Sequence, residues 1–383
     1  MKEISIDELK NLQNYQLIDL RDQRIAEYGM MPRAINIPLN KFENNFEECI
    51  KELDTNKATV LYCQRGELSR DISDLLNKRG INAYSLIDGY NAYLRELISL
   101  DEYYDETVKM TEDSIRNKFH KQLFSPFAKA CKNYELIKEG DHIAVCISGG
   151  KDSMLMAKLF QEIQRHKKVN FELTFLVMDP GYNFENRALI EKNAKKLGIP
   201  VTIFESRIFD AVDTIEKSPC YICARMRRGH LYNKARELGC NKIALGHHFD
   251  DVIETILMGM LYGGQIQTMM PKLHSSNFEG MELIRPLYLV REEDILKWRD
   301  YNDLHFLQCA CHFTDTCTTC HEDGTISSKR LETKKLIAKL KEENPFVENN
   351  IFKSVENVNL STIIAYKKDD IKHHFLDEYE KEK

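Results

Sequence analysis

The chain has 383 residues, 43% of them hydrophobic and 30% charged, with a formal net charge of -6. That length fits two to three domains of ~100 to 200 residues each, each able to bury a core, which excludes a chain disordered throughout. The negative balance argues against indiscriminate coating of nucleic acid, no run reaches the ~18 apolar residues of a membrane span, and the opening MKEISIDELK has no leader pattern, so a cytoplasmic protein with no membrane contact is expected.

In chain order, Ile4 to Leu12 has helical spacing, Gln16 to Leu20 and Ala58 to Tyr62 are β-rich runs, Ser69 to Lys78 is again helical, and Asn82 to Ile87 returns to strand. Residues 99–138 carry no strand run and turn from charged to amphipathic, which predicts a helical linker. A second cycle follows. Strand His142 to Ile147 leads to a helix over Ser153 to Arg165, strand Phe171 to Met178, a helix reaching Leu197, strand Val201 to Phe204, strand Lys242 to Leu245, and a helix from Asp250 to about Tyr262. Strands alternating with helices predict a doubly wound parallel α/β sheet. After Arg285 the chain becomes cysteine-rich; a helix over Ser327 to Glu343 ends before Pro345, and 367–383 reads as a charged tail.

Ser148-Gly149-Gly150-Lys151-Asp152-Ser153 follows a strand and opens a helix, where a glycine turn exposes backbone N–H groups to an anion. The spacing is neither G-x-x-x-x-G-K-[ST] nor G-x-G-x-x-G, and an ordinary tight turn is the plain alternative. The string resembles the pyrophosphate loop of the PP-loop ATP pyrophosphatases, which adenylate a carbonyl oxygen and release pyrophosphate. The resemblance implies that Ser148, Gly149, Gly150 and Ser153 hold the pyrophosphate of ATP, that Lys151 offsets its charge, and that Asp152 serves Mg²⁺ or positioning. Met178 and Asp179, after the next strand, would border the nucleotide.

Eleven cysteines without an export signal point to thiol chemistry or metal binding rather than a disulfide framework. Cys220 and Cys223 form a C-x-x-C followed by Arg225, Arg227 and Arg228; by itself the pair fits a redox couple, half a metal site or two buried thiols. The run from Cys220 to Gly264, with PCxxCxxxRRGxLY and LGHHxDD, resembles the tRNA 2-thiocytidine synthetase branch of the PP-loop family. That resemblance implies a [4Fe-4S] cluster on Cys220, Cys223 and a later cysteine, Cys311 being favoured and Cys309 the substitute. Three thiolates leave one iron open to a hydrosulfide. His248 and Asp251 would reach the ATP and the reacting base, although carboxylates at 250 and 251 also suit a helix start. The three arginines are candidate tRNA phosphate contacts or a solvated helix face. Cys317 and Cys320 form a second C-x-x-C, readable as a zinc site, a redox pair or spare thiols. Cys49, Cys131, Cys146 and Cys240 sit in apolar or helical runs and are expected to be buried packing.

Cys63 ends a strand and opens Cys63-Gln64-Arg65-Gly66-Glu67-Leu68-Ser69 ahead of a helix, so inward N–H groups would favour an anionic sulfur there, whereas a cysteine after a strand is more often core. With LIDLRD at 17–22, GMMPRAINIPL at 29–39 and LIDGYNAYL at 86–94, the segment resembles the rhodanese domain, which carries a persulfide on this cysteine. Met30, Arg33, Glu67 and Tyr93 depart from that pattern and bear on donor choice.

Together the resemblances imply a rhodanese-like domain at 1–98, a helical linker at 99–138, a PP-loop thiolation domain with an iron-sulfur site at 139–366, and the tail. The implied activity adenylates a tRNA cytidine at C2 and replaces its oxygen by sulfur, which is relayed from a persulfide or thiosulfate donor such as a cysteine desulfurase through Cys63 and the cluster. A homodimer is implied by family analogy. The alternatives are a PP-loop thiolase for another tRNA base or a small molecule, and a non-catalytic persulfide or iron-sulfur carrier.

Overall fold

The computed structural model describes residues 2–27, 29–99, 104–206, 208, 219–307 and 329–379. The chain falls into two compact units, Met1–Phe249 with Met270–Ser327, and Asp250–Met269 with Ser328–Lys383.

The first unit holds two sheets. The amino-terminal one contains β1 (Glu3–Ile4), β2 (Tyr15–Asp19), β3 (Ala34–Asn36), β4 (Ala58–Tyr62) and β5 (Ala83–Leu86) in the order β1-β5-β4-β2-β3, every pair parallel. Its strands are short and apolar because helices cover both faces, as parallel pairing requires. Ser5 caps the first helix, Ile6–Asn11, through a reciprocal box with Glu8. That box starts the helix two residues later than the spacing predicts and frees Glu3 and Ile4 to pair with Ser85 and Leu86.

The second sheet contains β6 (His142–Ile147), β7 (Glu172–Asp179), β8 (Val201–Glu205), β9 (Lys242–Ala244), β10 (Lys272–His274) and β11 (Glu282–Ile284), ordered β10-β11-β9-β6-β7-β8. Only β10 runs antiparallel. The chain proceeds from β6 outward to β7 and β8, then returns to place β9 on the other side of β6. Connections therefore diverge at the carboxyl ends of β6 and β9, the switch point where such sheets open a crevice. The doubly wound expectation holds. The sequence reading omitted β10, β11 and the helix Glu292–Tyr301, whose short edge strands and mixed composition carry little periodicity.

Residues 104–133 form the helices Tyr104–Asp113 and Ser125–Asn133 joined by two π-helical turns. One continuous core joins residues of both sheets, from Ile4, Val60, Tyr90 and Leu94 through Leu123 and Phe127 to Leu155, Ile190 and Trp298. The helix Gly89–Ser99 packs directly on the helix Phe184–Lys196.

In the second unit, the helix Lys329–Glu343 packs on Val347–Ser354. Residues 365–374, partly read as tail, pair as a hairpin of β12 (Ala365–Lys368) and β13 (Ile371–His374). Asp369 and Asp370 take positive φ in its two-residue turn, the backbone that closes a tight hairpin and that Asp tolerates. Among the described residues, no helix is long and apolar enough to cross a membrane.

Candidate active site

The switch point sets three segments side by side. In register, Ile147 pairs with Val177 and Val145 with Ala244, so the loop Ser148 to Ser153, the pair Met178–Asp179 and the segment Leu245 to His248 leave the same edge of the sheet. Gly149 has φ +86, and a Cβ there would stand 2.6 Å from Ile190 Cγ1, so the loop can follow this path only with glycine. Gly150 caps the helix Lys151–Arg165 without a side chain over its end. Ser153 Oγ accepts from Ser148 N–H at 3.2 Å and donates to Gly150 O at 2.9 Å, which ties the loop to the helix it opens. An uncapped helix start lined by glycine backbone fits an anion such as pyrophosphate.

Gly246 follows β9, and a Cβ added to it would lie 3.2 Å from Ser153 N. In the sequence this glycine stands out only as part of the LGHHxDD motif; its close approach is what joins the LGHH segment to the loop. His248 is 6% exposed, and its Nε2 lies 4.0 Å from Glu292 Oε1. Glu292 reaches Lys151 Nζ at 3.1 Å, as does Asp152 Oδ2, and the Lys151 side chain is 3% exposed. The remaining carboxylate oxygen of Asp152 is buried with no hydrogen-bond partner. Glu292 was missed in the sequence because 141 residues separate it from Lys151.

Asp179 is committed to its own turn. Its Oδ1 accepts from Gly181 N at 2.9 Å and Tyr182 N at 2.7 Å, and its Oδ2 meets Arg187 Nη1 at 2.6 Å. Burial pushes this carboxyl up, but the two N–H groups and the Arg187 guanidinium outweigh burial and hold it below the usual range. Met178 is buried against Ile208 with Tyr182, Phe204, Met226 and Leu231 around it. Asp251 belongs to the second unit, where its Oδ1 pairs with Arg330 Nη1 at 2.6 Å; Glu254 meets the same guanidinium at 3.4 Å.

Cys220 and Cys223 lie one turn apart at the start of the helix Pro219–Glu237, a spacing that gives both Cα positions one face. Their thiols, like Cys309, Cys311, Cys317 and Cys320, lie outside what is described. Leu307, two residues before Cys309, donates its N–H to Gly149 O at 3.2 Å and is buried. On the helix after the cysteine pair, Arg225 and Arg228 are exposed and Arg227 is half-buried. Cys49, Cys131, Cys146 and Cys240 are all buried, as expected. Burial pushes the Cys146 thiol up to about 12 and raises Cys131 and Cys240 as well, which keeps them protonated and inert.

At the first sheet, Cys63 follows β4 and is 5% exposed. Its Sγ accepts from Gly66 N at 3.1 Å, with Ser69 Oγ at 3.7 Å. The start of the helix Gly89–Ser99 clamps this loop: Tyr90 N donates to Cys63 O, Asn91 N to Gln64 O, and the Gln64 and Asn91 side chains meet at 2.7 Å. A Cβ on Gly89 would stand 2.2 Å from Cys63 O, so that contact also demands glycine. Beside the loop, Asp19 and Arg21 form a buried pair at 2.6 Å, completed by Tyr62 on Asp19 and by the Gly29 carbonyl on Arg21.

A PP-loop domain model matches residues 116–311, and a rhodanese-like domain model matches residues 5–96. The chain belongs to the PP-loop family. It is 33% identical over 249 residues to a tRNA-cytidine(32) 2-sulfurtransferase of Geobacter sulfurreducens, covering 64% of this chain and 92% of the relative. It is 39% identical over 199 residues to a protein of the same name from Aliivibrio fischeri, covering 50% of this chain and 64% of that one. Among solved structures, the U34-tRNA thiolase NcsA from Methanococcus maripaludis with its [4Fe-4S] cluster aligns at 22% identity and a TM-score of 0.46, over 66% of this chain and 78% of that one. The PP-loop match encloses the whole second sheet up to β11 and both members of the first cysteine pair. The rhodanese-like match encloses Cys63 and its clamp.

Proposed function

We propose that the chain is an ATP-dependent tRNA sulfurtransferase that converts a cytidine to 2-thiocytidine, with residues 1–98 carrying sulfur, 99–138 linking, and 139–366 performing the thiolation in the cytoplasm. The observation that carries this reading is the glycine loop at the switch point, joined by Gly246 to the LGHH segment, in a chain 33% identical over 249 residues to a tRNA-cytidine(32) 2-sulfurtransferase.

In this reading ATP is a substrate. Gly149, Gly150 and Ser153 bind its β- and γ-phosphates on the helix N-terminus, Ser148 braces the turn, and Lys151 neutralises the pyrophosphate as it departs. Asp152, with an oxygen to spare, is the carboxylate suited to Mg²⁺. The carbonyl oxygen at C2 attacks the α-phosphate, pyrophosphate leaves, and AMP becomes the leaving group on carbon. Met178 and Asp179 border the nucleotide; Asp179 acts by fixing the turn after β7 rather than by moving a proton, since its oxygens are already taken. Roles for His248 and Asp251 toward the ATP and the reacting base are part of this proposal.

Cys220, Cys223 and Cys311, or Cys309 in its place, would hold a [4Fe-4S] cluster, and the donor set of three thiolates fits one. Such a cluster supplies an iron with an open position for sulfur. The Cys63 sulfur attacks the sulfane sulfur of a persulfide or thiosulfate donor, whose S–S bond breaks with release of a thiolate or of sulfite, and the Gly66 N–H and Ser69 hydroxyl stabilise the resulting persulfide anion. Arg225, Arg227 and Arg228 contact tRNA phosphates, so tRNA affinity falls as salt rises.

The test is mass spectrometry of tRNA nucleosides from a strain lacking the gene, before and after it is restored. Loss and return of 2-thiocytidine alone is expected. Unchanged tRNA, or loss of a different thionucleoside, overturns the assignment, and absence of ATP-to-AMP turnover by the reconstituted protein leaves the carrier reading.

A further inference from the structure

Glu292 opens the helix Glu292–Tyr301, whose N-cap residue, Arg291, makes no side-chain cap. The chain just ahead of it is fixed to the LGHH segment: Phe249 N donates to Val290 O at 2.9 Å, and the Arg291 guanidinium lies 4.7 Å over the Phe249 ring. So held, Glu292 Oε1 stands 3.1 Å from Lys151 Nζ and 4.0 Å from His248 Nε2. The three side chains are 15%, 3% and 7% exposed respectively.

One carboxylate suffices to neutralise a buried ammonium group, and among the described residues Lys151 meets at least two, Glu292 Oε1 and Asp152 Oδ2, each at 3.1 Å. A second negative charge at a loop that receives an anion works against binding that anion. A carboxylate so placed sets the aim of the lysine at a cost to the strength of the hold.

We propose that Glu292 is a positioning residue that aims the Lys151 ammonium group into the mouth of the glycine loop and surrenders it to the pyrophosphate moiety of ATP as the nucleotide seats. The inference rests on the reading of 148–153 as a pyrophosphate loop. Lys151 exchanges a carboxylate oxygen for a phosphate oxygen, no bond is made or broken, and Glu292 falls back on His248. Removing the Glu292 charge therefore tightens the binding of pyrophosphate while it lowers turnover, since the competitor and the guide are the same group. A residue that merely supports the fold would weaken both.

The experiment uses the full-length protein. Calorimetry measures binding of inorganic pyrophosphate with Mg²⁺, and steady-state assays with ATP and tRNA give KM and kcat for AMP release. For Glu292→Gln the expectation is pyrophosphate bound about fivefold tighter, KM for ATP lowered in step, and kcat reduced about tenfold, the signature of relieved ground-state strain. Glu292→Asp keeps the charge but draws it back one methylene, so pyrophosphate affinity should stay near wild type while kcat falls; this variant decides the matter if the glutamine one does not fold. Parallel losses in affinity and kcat, or no change in either, overturn the proposal. Lys151→Ala separates the two layers: if the wild-type protein binds no pyrophosphate and makes no AMP, the loop reading itself fails. If the wild type does both and Lys151→Ala loses them, while Glu292→Gln changes neither pyrophosphate affinity nor kcat, the role of Glu292 alone is refuted.

Discussion

Cys63 shows how much one residue depends on chain neighbours and how much on distant ones. Its sulfur takes an N–H from Gly66, three positions on, and faces the hydroxyl of Ser69, six positions on, so the heptapeptide from 63 to 69 carries most of the sulfur site by itself. The clamp does not belong to that string: it comes from Gly89, Tyr90 and Asn91, after the next strand. Replacing Cys63 by Ala removes the only sulfur in that loop. Thiolation driven by thiosulfate or a persulfide donor should fall at least ~100-fold, whereas thiolation driven by free sulfide should persist, since the substituted group handles only the incoming sulfane sulfur. Equal loss with both sulfur sources contradicts a relay through Cys63.

Among elements, the turn after β7 is held by three contacts to the Asp179 carboxylate. The Asp179 carboxyl lies below its ordinary value of 3.8 because backbone N–H groups and Arg187 favour the anion more than burial opposes it. A lowered folded-state value means that Asp179 stabilises the protein at pH values above the ordinary one, and that this stability is lost as pH falls through the folded value. Asp179→Asn should therefore lower the melting temperature at neutral pH, and the gap to wild type should narrow as pH falls below the ordinary 3.8 toward the lowered folded value. Melting curves between pH 3 and 7 check this; a gap that stays constant or widens in acid contradicts it. The strand-loop-helix unit at 142–165 was legible because its apolar run and paired glycines are contiguous. Strands β10 and β11 and the helix at 292–301 were not, because three-residue edge strands have no period to detect and Glu292 gains its meaning only from Lys151.

For the whole molecule, the continuous core makes one cooperative body of the two sheets in the first unit. Tyr90 and Leu94, on the helix that clamps Cys63, belong to the same cluster as Leu189, Ile190 and Ala194 beside the glycine loop. Tyr93 extends the join, its ring meeting His305 at 5.9 Å, and Asn193 Nδ2 donates to the His305 carbonyl at 2.8 Å. Leu94→Ala should cost about 2–5 kcal/mol and destabilise both sheets together. Trp298, the single tryptophan of the chain, is fully buried in the PP-loop part and reports that sheet, while protection of the buried Cys63 thiol from alkylation reports the other. The two signals should be lost at one urea concentration, shifted equally in the variant. Separate midpoints, with only one displaced, contradict a shared core.

What the sequence determined by itself is whatever is encoded within a few residues or one period: the two α/β cycles, the glycine loop, the Cys63 heptapeptide, and the C-x-x-C that opens a basic helix. Backbone geometry and apolar spacing act over that range, so the information is local and readable. Tertiary structure alone decided that Gly246 touches the start of the loop helix, that Gly89 braces the Cys63 carbonyl, and that Lys151 sits between Asp152 and Glu292. Each of these depends on how the strands are ordered in their sheets. Strand order is fixed by the packing of many side chains at once, and no short stretch of the chain contains it.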